Sequence, residues 1–141
     1  MIDDRDPAVH WAMGRAMYLR KRWDECLVEL EQSIDLSPNF ALGHYNLSFV
    51  RSVALVRLER FEDAAGWAVR AAARPNAFPH IHAIAAYSLA LAGLMDQARL
   101  HAAAARRTTP GYGISEFLLT FPFEPRGEEL FRKGAKLIGM E

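Results

Sequence analysis

Reading from Pro7, small and apolar residues recur among polar ones at the three- and four-residue spacing of amphipathic helices, and the pattern breaks at Pro38 before starting again. Thirty-four residues separate His10 from His44, Trp23 from Arg57 and Cys26 from Arg60. If Pro7 is position 1 of a repeat, Gly14, Cys26 and Ser33 are small residues at positions 8, 20 and 27. His10, Met13, Met17 and Leu30 carry the larger groups of the same unit. Small residues at three fixed places allow two helices and the next pair to approach closely, and the larger groups fill the space that remains. A second regular unit starts at Pro79, with His82, Ala85, Ala86 and Leu89, a turn at Gly93, then Met95, Ala98, Ala102 and Ala105 before Pro110. Its richness in alanine adds intrinsic helix propensity to the pattern.

Between these units the spacing slips. A middle repeat opens at Ala41 with His44, Leu47 and Ser48, but Phe61-Glu62-Asp63-Ala64 comes four residues later than the first repeat predicts. Four residues is about one helical turn. The expectation is therefore a first helix lengthened by one turn, running from about Ala41 to Arg57, and a second helix carrying Ala64, Ala68 and Ala71 at its close-packing positions. After Pro110 the pattern stops. Gly111-Tyr112-Gly113 predicts a break, Ile114 to Thr120 a short apolar helix, and Arg126 to Ile138 a last helix whose apolar side would cap the exposed end of the stack.

A period of 34 with this helix-pair signature resembles the tetratricopeptide (TPR) repeat. The resemblance implies an all-α, TPR-type α-solenoid of three helix hairpins (residues 7–40, 41–78 and 79–112) with a C-terminal capping segment (113–141), all one domain. In such a solenoid the first helix of each pair lines a concave groove through positions 2, 5, 9 and 12. Those positions hold Ala8, Trp11, Arg15 and Tyr18, then Leu42, Tyr45, Phe49 and Ser52, then His80, Ala83, Tyr87 and Ala90. Trp11, Arg15, Tyr18, Leu42, Tyr45, Phe49, His80 and Tyr87 supply apolar bodies, many with polar tips, of the kind that dominate binding interfaces. With Asn46, they form the expected partner-binding groove for an extended or helical segment with apolar anchors. The TPR clamp for a C-terminal carboxylate would draw on Trp11, Arg15, Asn46, His80 and Ile84, of which Arg15 and Asn46 alone suit that task.

A closer resemblance covers nearly the whole chain. His10-Trp11-Ala12-Met13-Gly14-Arg15-Ala16, the stretch from Ser37 to Leu47, the stretch from Trp67 to Ala77, and the ending Phe121-Pro122-Phe123 with Glu128 to Ala135 are similar to the C-terminal TPR regions of bacterial class III adenylate cyclases and winged-helix transcriptional regulators. That resemblance implies a regulatory or sensory part that recruits a protein partner. Around Arg51 to Leu58 the chain reads as if most of an intervening repeat were missing, so it is expected to be a fragment of a larger regulator or a stand-alone relative. An alternative is an oligomerisation or scaffold domain whose groove is filled by its parent domain or by a second copy, as a homodimer.

Charge adds little to this picture. The 17 basic and 17 acidic residues balance, so no global field favours nucleic acid or an anionic membrane. Residues 1–40 carry 5 basic and 8 acidic groups, and residues 41–110 carry 8 and 4, a gradient suited at most to end-to-end association. The apolar run from Ala83 to Met95 is too short to cross a bilayer. Met1 to Asp6 lack the basic start and apolar stretch of a signal peptide, and one cysteine allows no intrachain disulfide. A cytoplasmic location is expected.

No catalytic or metal site and no cofactor is expected. His10, His44 and His82 all fall at position 4, but helix pairs stack roughly 10 Å apart, whereas one zinc needs its ligands about 2.1 Å away. His80 and His82 lie two apart and point to different helix faces. Cys26 sits where a small packed residue belongs, beside Trp23 and Leu27. Glu25, Glu29 and Glu31 read as a solvated helix face. No phosphate-cradling glycine loop, CxxC or HExxH occurs. The chain is expected to be a non-enzymatic protein-interaction module.

Overall fold

A computed structural model describes residues 25, 28, 50–73, 77–121 and 123–141, and the described residues are all-helical in their regular structure. The helices are α1 (residues 50–57), α2 (Phe61–Ala72), α3 (Pro79–Leu91), α4 (Met95–Thr108), α5 (Ile114–Thr120) and α6 (Pro125–Leu137). Glu25 and Val28 are helical and exposed. The end of α1 at Arg57, the starts of α2 and α3 and the extent of α5 fall where the sequence pattern puts them. Trp11, Arg15, Tyr18 and Cys26 of the first repeat lie outside the described residues, as do Leu42, Tyr45, Asn46 and Phe49.

Two hairpins, α1–α2 and α3–α4, turn in the same way. Glu59 and Gly93 both adopt the left-handed conformation, at φ of 60° and 84°. The Arg60 amide donates to the Leu55 carbonyl, and the Leu94 amide donates to the Leu89 carbonyl, each at 2.9 Å. Glu59 to Val56 and Gly93 to Ala90 form the second bond of each turn, at 2.9 and 3.0 Å. These are helix-ending turns that satisfy orphan carbonyls with one αL residue. Every one of these pairs is offset by 34 residues. Glycine makes the second turn without strain, while Glu59 adopts a conformation that L side chains rarely choose.

That offset corrects the register expected for the middle unit. Ser52 is equivalent to Ala86 and is fully buried, so it is the small close-packing residue of α1 rather than a groove position. Val53 and Val56, both fully buried, stand where Tyr87 and Ala90 stand in α3. From α1 to α4 the described residues keep a strict period of 34.

α3 is the centre of the packing. Ile81 and the whole run from Ala83 to Ala90 are buried, which an element apolar on every side requires. Its neighbours are α2, α4 and α6. The close approach rests on alanine: Ala64, Ala68, Ala98 and Ala105 are fully buried, with Ala71 and Ala102 nearly so. α6 comes close through Gly134, where an added Cβ would stand 3.0 Å from the Tyr87 carbonyl oxygen, 3.2 Å from Tyr87 Cβ and 3.3 Å from Leu91 Cγ.

Two glycine substitutions should therefore act in opposite directions. Gly66, in the exposed face of α2, has nothing within 4 Å of an added Cβ, so Gly66→Ala should stabilise by about 0.5–1 kcal/mol through helix propensity. Gly134→Ala gains the same propensity but forces α6 away from α3. It should lower the urea midpoint of unfolding, whereas Gly66→Ala should raise it.

Candidate interaction surface

α1 and α3 are the first helices of their hairpins, and the face of α3 that carries Ala83, Tyr87 and Ala90 is the one the sequence assigns to a groove. In the structure all three residues are buried, Tyr87 completely. The chain's own C-terminal segment covers Tyr87. Phe117 of α5 meets the Tyr87 ring edge-on at 5.2 Å between centroids, and Phe131 of α6 meets it at 6.4 Å. Phe117 and Phe131 are 5.2 Å apart, and Phe123 packs on Phe131 at 4.7 Å and on Phe117 at 6.1 Å. This aromatic plug is what Tyr87 touches in place of an external ligand.

Polar contacts fix the plug at both ends. At the start of α6, Glu124 accepts a hydrogen bond from the Arg57 guanidinium at the end of α1. Arg126 pairs with Glu59 in the α1–α2 turn at 2.8 Å. At the other end Arg106 of α4 donates to the Tyr112 carbonyl at 3.0 Å and to the Gly139 carbonyl at 3.2 Å. The Ile114 amide donates to the Met140 carbonyl at 2.8 Å, and Met140 is fully buried. Gly113 is required beside it, because a Cβ there would lie 2.8 Å from the Met140 carbonyl oxygen. Thus α6 reaches from the tip of the α1–α2 hairpin to the body of α3.

The phenols at this centre pack as apolar bodies. The Tyr87 and Tyr112 hydroxyls are buried with no hydrogen-bond partner among the described residues. Burial raises the Tyr87 pKa above its ordinary range and pushes Tyr112 up to about 12, with Glu116 adding to the rise in both. Tyr87 therefore does not serve as an open binding residue in this structure, a correction to its expected place in the groove.

His80 lies at the edge of the covered face. It is half-buried, with its ring 5.7 Å from Phe78 at an interplanar angle of 8° and 5.3 Å from Phe121. Phe78 is 62% exposed, so this trio forms an open aromatic rim next to the plug. On the α1–α2 hairpin, the Arg51 guanidinium sits 4.0 Å over the Trp67 ring and Arg70 sits 4.7 Å from it. Of the expected groove residues that are described, the structure places His80 on the rim and Tyr87 in the core.

The sequence pattern does not assign Phe117, Phe123, Phe131 or Arg106 to this face. The sequence marks the first three as part of an apolar tail, but a helical period shows which residues share a face and not which helix that face will meet.

Among the described residues no group of three or more His, Cys, Asp or Glu side chains is placed to hold a metal. No described helix is long and apolar enough to cross a membrane. No family model matches the chain, and neither does any curated protein or solved structure.

The packing can be tested at its centre. Phe131→Ala should cost about 3–5 kcal/mol, the usual range for an emptied buried aromatic site. Tyr87→Phe should leave stability unchanged or raise it, because it removes a buried hydroxyl that has no partner. Chemical denaturation of the two variants checks both expectations.

A pH dependence follows from the histidines. Burial lowers the pKa of His80, His82 and His101 below the ordinary 6.5; the Arg107 charge adds to the effect at His82, and His82 adds to it at His101. The unfolded chain therefore binds protons more readily than the folded one. The stability these groups contribute as neutral rings is present above about pH 6.5 and is lost as the pH falls through their lower folded-state values. The melting temperature should be lower at pH 5 than at pH 7.5, and His101→Gln should reduce that difference.

Proposed function

We propose that the chain is a non-enzymatic, TPR-type protein-interaction module that holds an amphipathic helical or extended segment of a protein partner. One observation carries this reading: the groove-position face of α3 is occupied by a helix of the chain itself, α6, held by aromatic anchors in its middle and by ion pairs at its N-terminal end. A face that accepts such a helix has the chemistry of helix-in-groove recognition, with apolar anchors spaced along one side and polar contacts at the margin. The 34-residue spacing of the two hairpin turns supports the repeat architecture.

On this reading the C-terminal segment closes the third repeat, and external capture belongs to Trp11, Arg15, Tyr18, Leu42, Tyr45, Asn46 and Phe49, with His80 at the boundary. The partner is a protein or peptide, and the setting suggested by the sequence resemblance is a cytoplasmic bacterial signalling or transcription protein. A second reading takes the occupied face of α3 as the whole story: a scaffold or oligomerisation piece whose groove is filled from within or by another copy. Leu119 of α5, 85% exposed, offers such a copy an apolar foothold.

Affinity capture from the native cell, followed by mass spectrometry, separates the readings. Trp11→Ala and Tyr45→Ala should each weaken capture by about 1 to 4 kcal/mol as hot-spot truncations, while Gly66→Ala should not. Equal capture by all variants would overturn the groove assignment. A mass that grows with concentration in light scattering would favour self-association.

A further inference from the structure

We propose that His82 and His101 form a zinc site that staples α3 to α4. The two Nδ1 atoms lie 3.4 Å apart, their rings are tilted by 31° and their centroids are separated by 5.6 Å. Zinc binds imidazole nitrogen at about 2.0–2.1 Å in a tetrahedral arrangement. Two nitrogens 3.4 Å apart and each about 2.05 Å from a shared ion subtend an angle of about 112° there. That is close to the tetrahedral angle. A square-planar ion would bring adjacent nitrogens to about 2.9 Å at similar bond lengths, so the spacing suits a tetrahedral ion.

The pair is also positioned before any ion arrives. His82 lies on α3 near its start, and His101 lies on the facing stretch of α4. Each is partly buried, and the hairpin between them is held by the Gly93 turn and the buried alanines. Without metal, one Nδ1–H donates to the other Nδ1. On binding, each ring donates the Nδ1 lone pair and carries its proton on Nε2. The donor ring changes tautomer through solvent, and no net proton is released.

No third His, Cys, Asp or Glu joins them among the described residues, so solvent fills the remaining two positions. Arg107, whose charge reaches His82, opposes a dication, but it is exposed and salt screens it. His82 meets His101 across a single hairpin, whereas the three position-4 histidines are spread along the chain.

The test uses the full, tag-free chain and Zn2+ alone, with Co2+ as a spectroscopic probe. Calorimetric titration should find one Zn2+ per chain, and Zn2+ should raise the melting temperature because it binds only the folded hairpin. His82→Gln and His101→Gln should each weaken binding about tenfold or more, since a lost ligand matters at least as much as a lost outer-shell partner. His80→Gln, two residues away, should leave it unchanged. In the unsubstituted chain the imidazole signals of His82 and His101 should shift together in NMR on adding Zn2+, which keeps the test independent of how the variants fold. Co2+ should give the visible absorption of a tetrahedral nitrogen and oxygen site without a thiolate band. No melting shift, binding retained in both Gln variants, or metal-induced shifts confined to other histidines would overturn the proposal.

Discussion

The enclosure of α3 is the constraint from which the rest of the described structure follows. A helix with apolar groups on every side cannot lie on a surface, because each uncovered side would leave hydrocarbon in water. α2 and α4 cover two of its sides through alanine contacts that let the backbones approach. The remaining side carries Tyr87, the largest fully buried side chain in the described core, and the C-terminal segment closes over it. The Phe117, Phe123 and Phe131 rings, the Gly134 approach and the Arg106 anchor all serve this closure.

The side of α3 that carries Tyr87 holds a helix of the chain itself, seated by an aromatic contact in its middle and ion pairs at its start. The covered face of the third hairpin lies beside the aromatic rim of Phe78, His80 and Phe121, so one side of α3 passes from closed core to surface. The ion pairs, part-buried at Arg57–Glu124 and more exposed at Arg126–Glu59, matter here chiefly for their placement. They hold the start of α6 over the tip of the neighbouring hairpin and so set where the covering helix begins.

Much of this was legible along the chain. Gly93, Pro79 and the alanines at 64, 68, 71, 98, 102 and 105 mark turns and close-packing positions by residue type alone, and the helices end where those signals put them. The register of α1 was read less well. Ser48 and Ser52 are both small and one turn apart, and a helical pattern tolerates a shift by one turn with little change in which residues share a face. Only the αL turn at Glu59, a residue whose type does not announce that conformation, selects Ser52.

The sequence by itself determined the helical class, the hairpin units and their period, because propensity, small-residue placement and turn chemistry act over short stretches of chain. The tertiary structure decided what covers each apolar face, since an amphipathic stripe states a need for a partner without naming one. For Tyr87 that partner proved to be the chain's own C-terminal helix, some forty residues away in sequence. The same is true of His82 and His101, which were unremarkable as separate letters. They became neighbours 3.4 Å apart only because the Gly93 turn folds α4 back along α3.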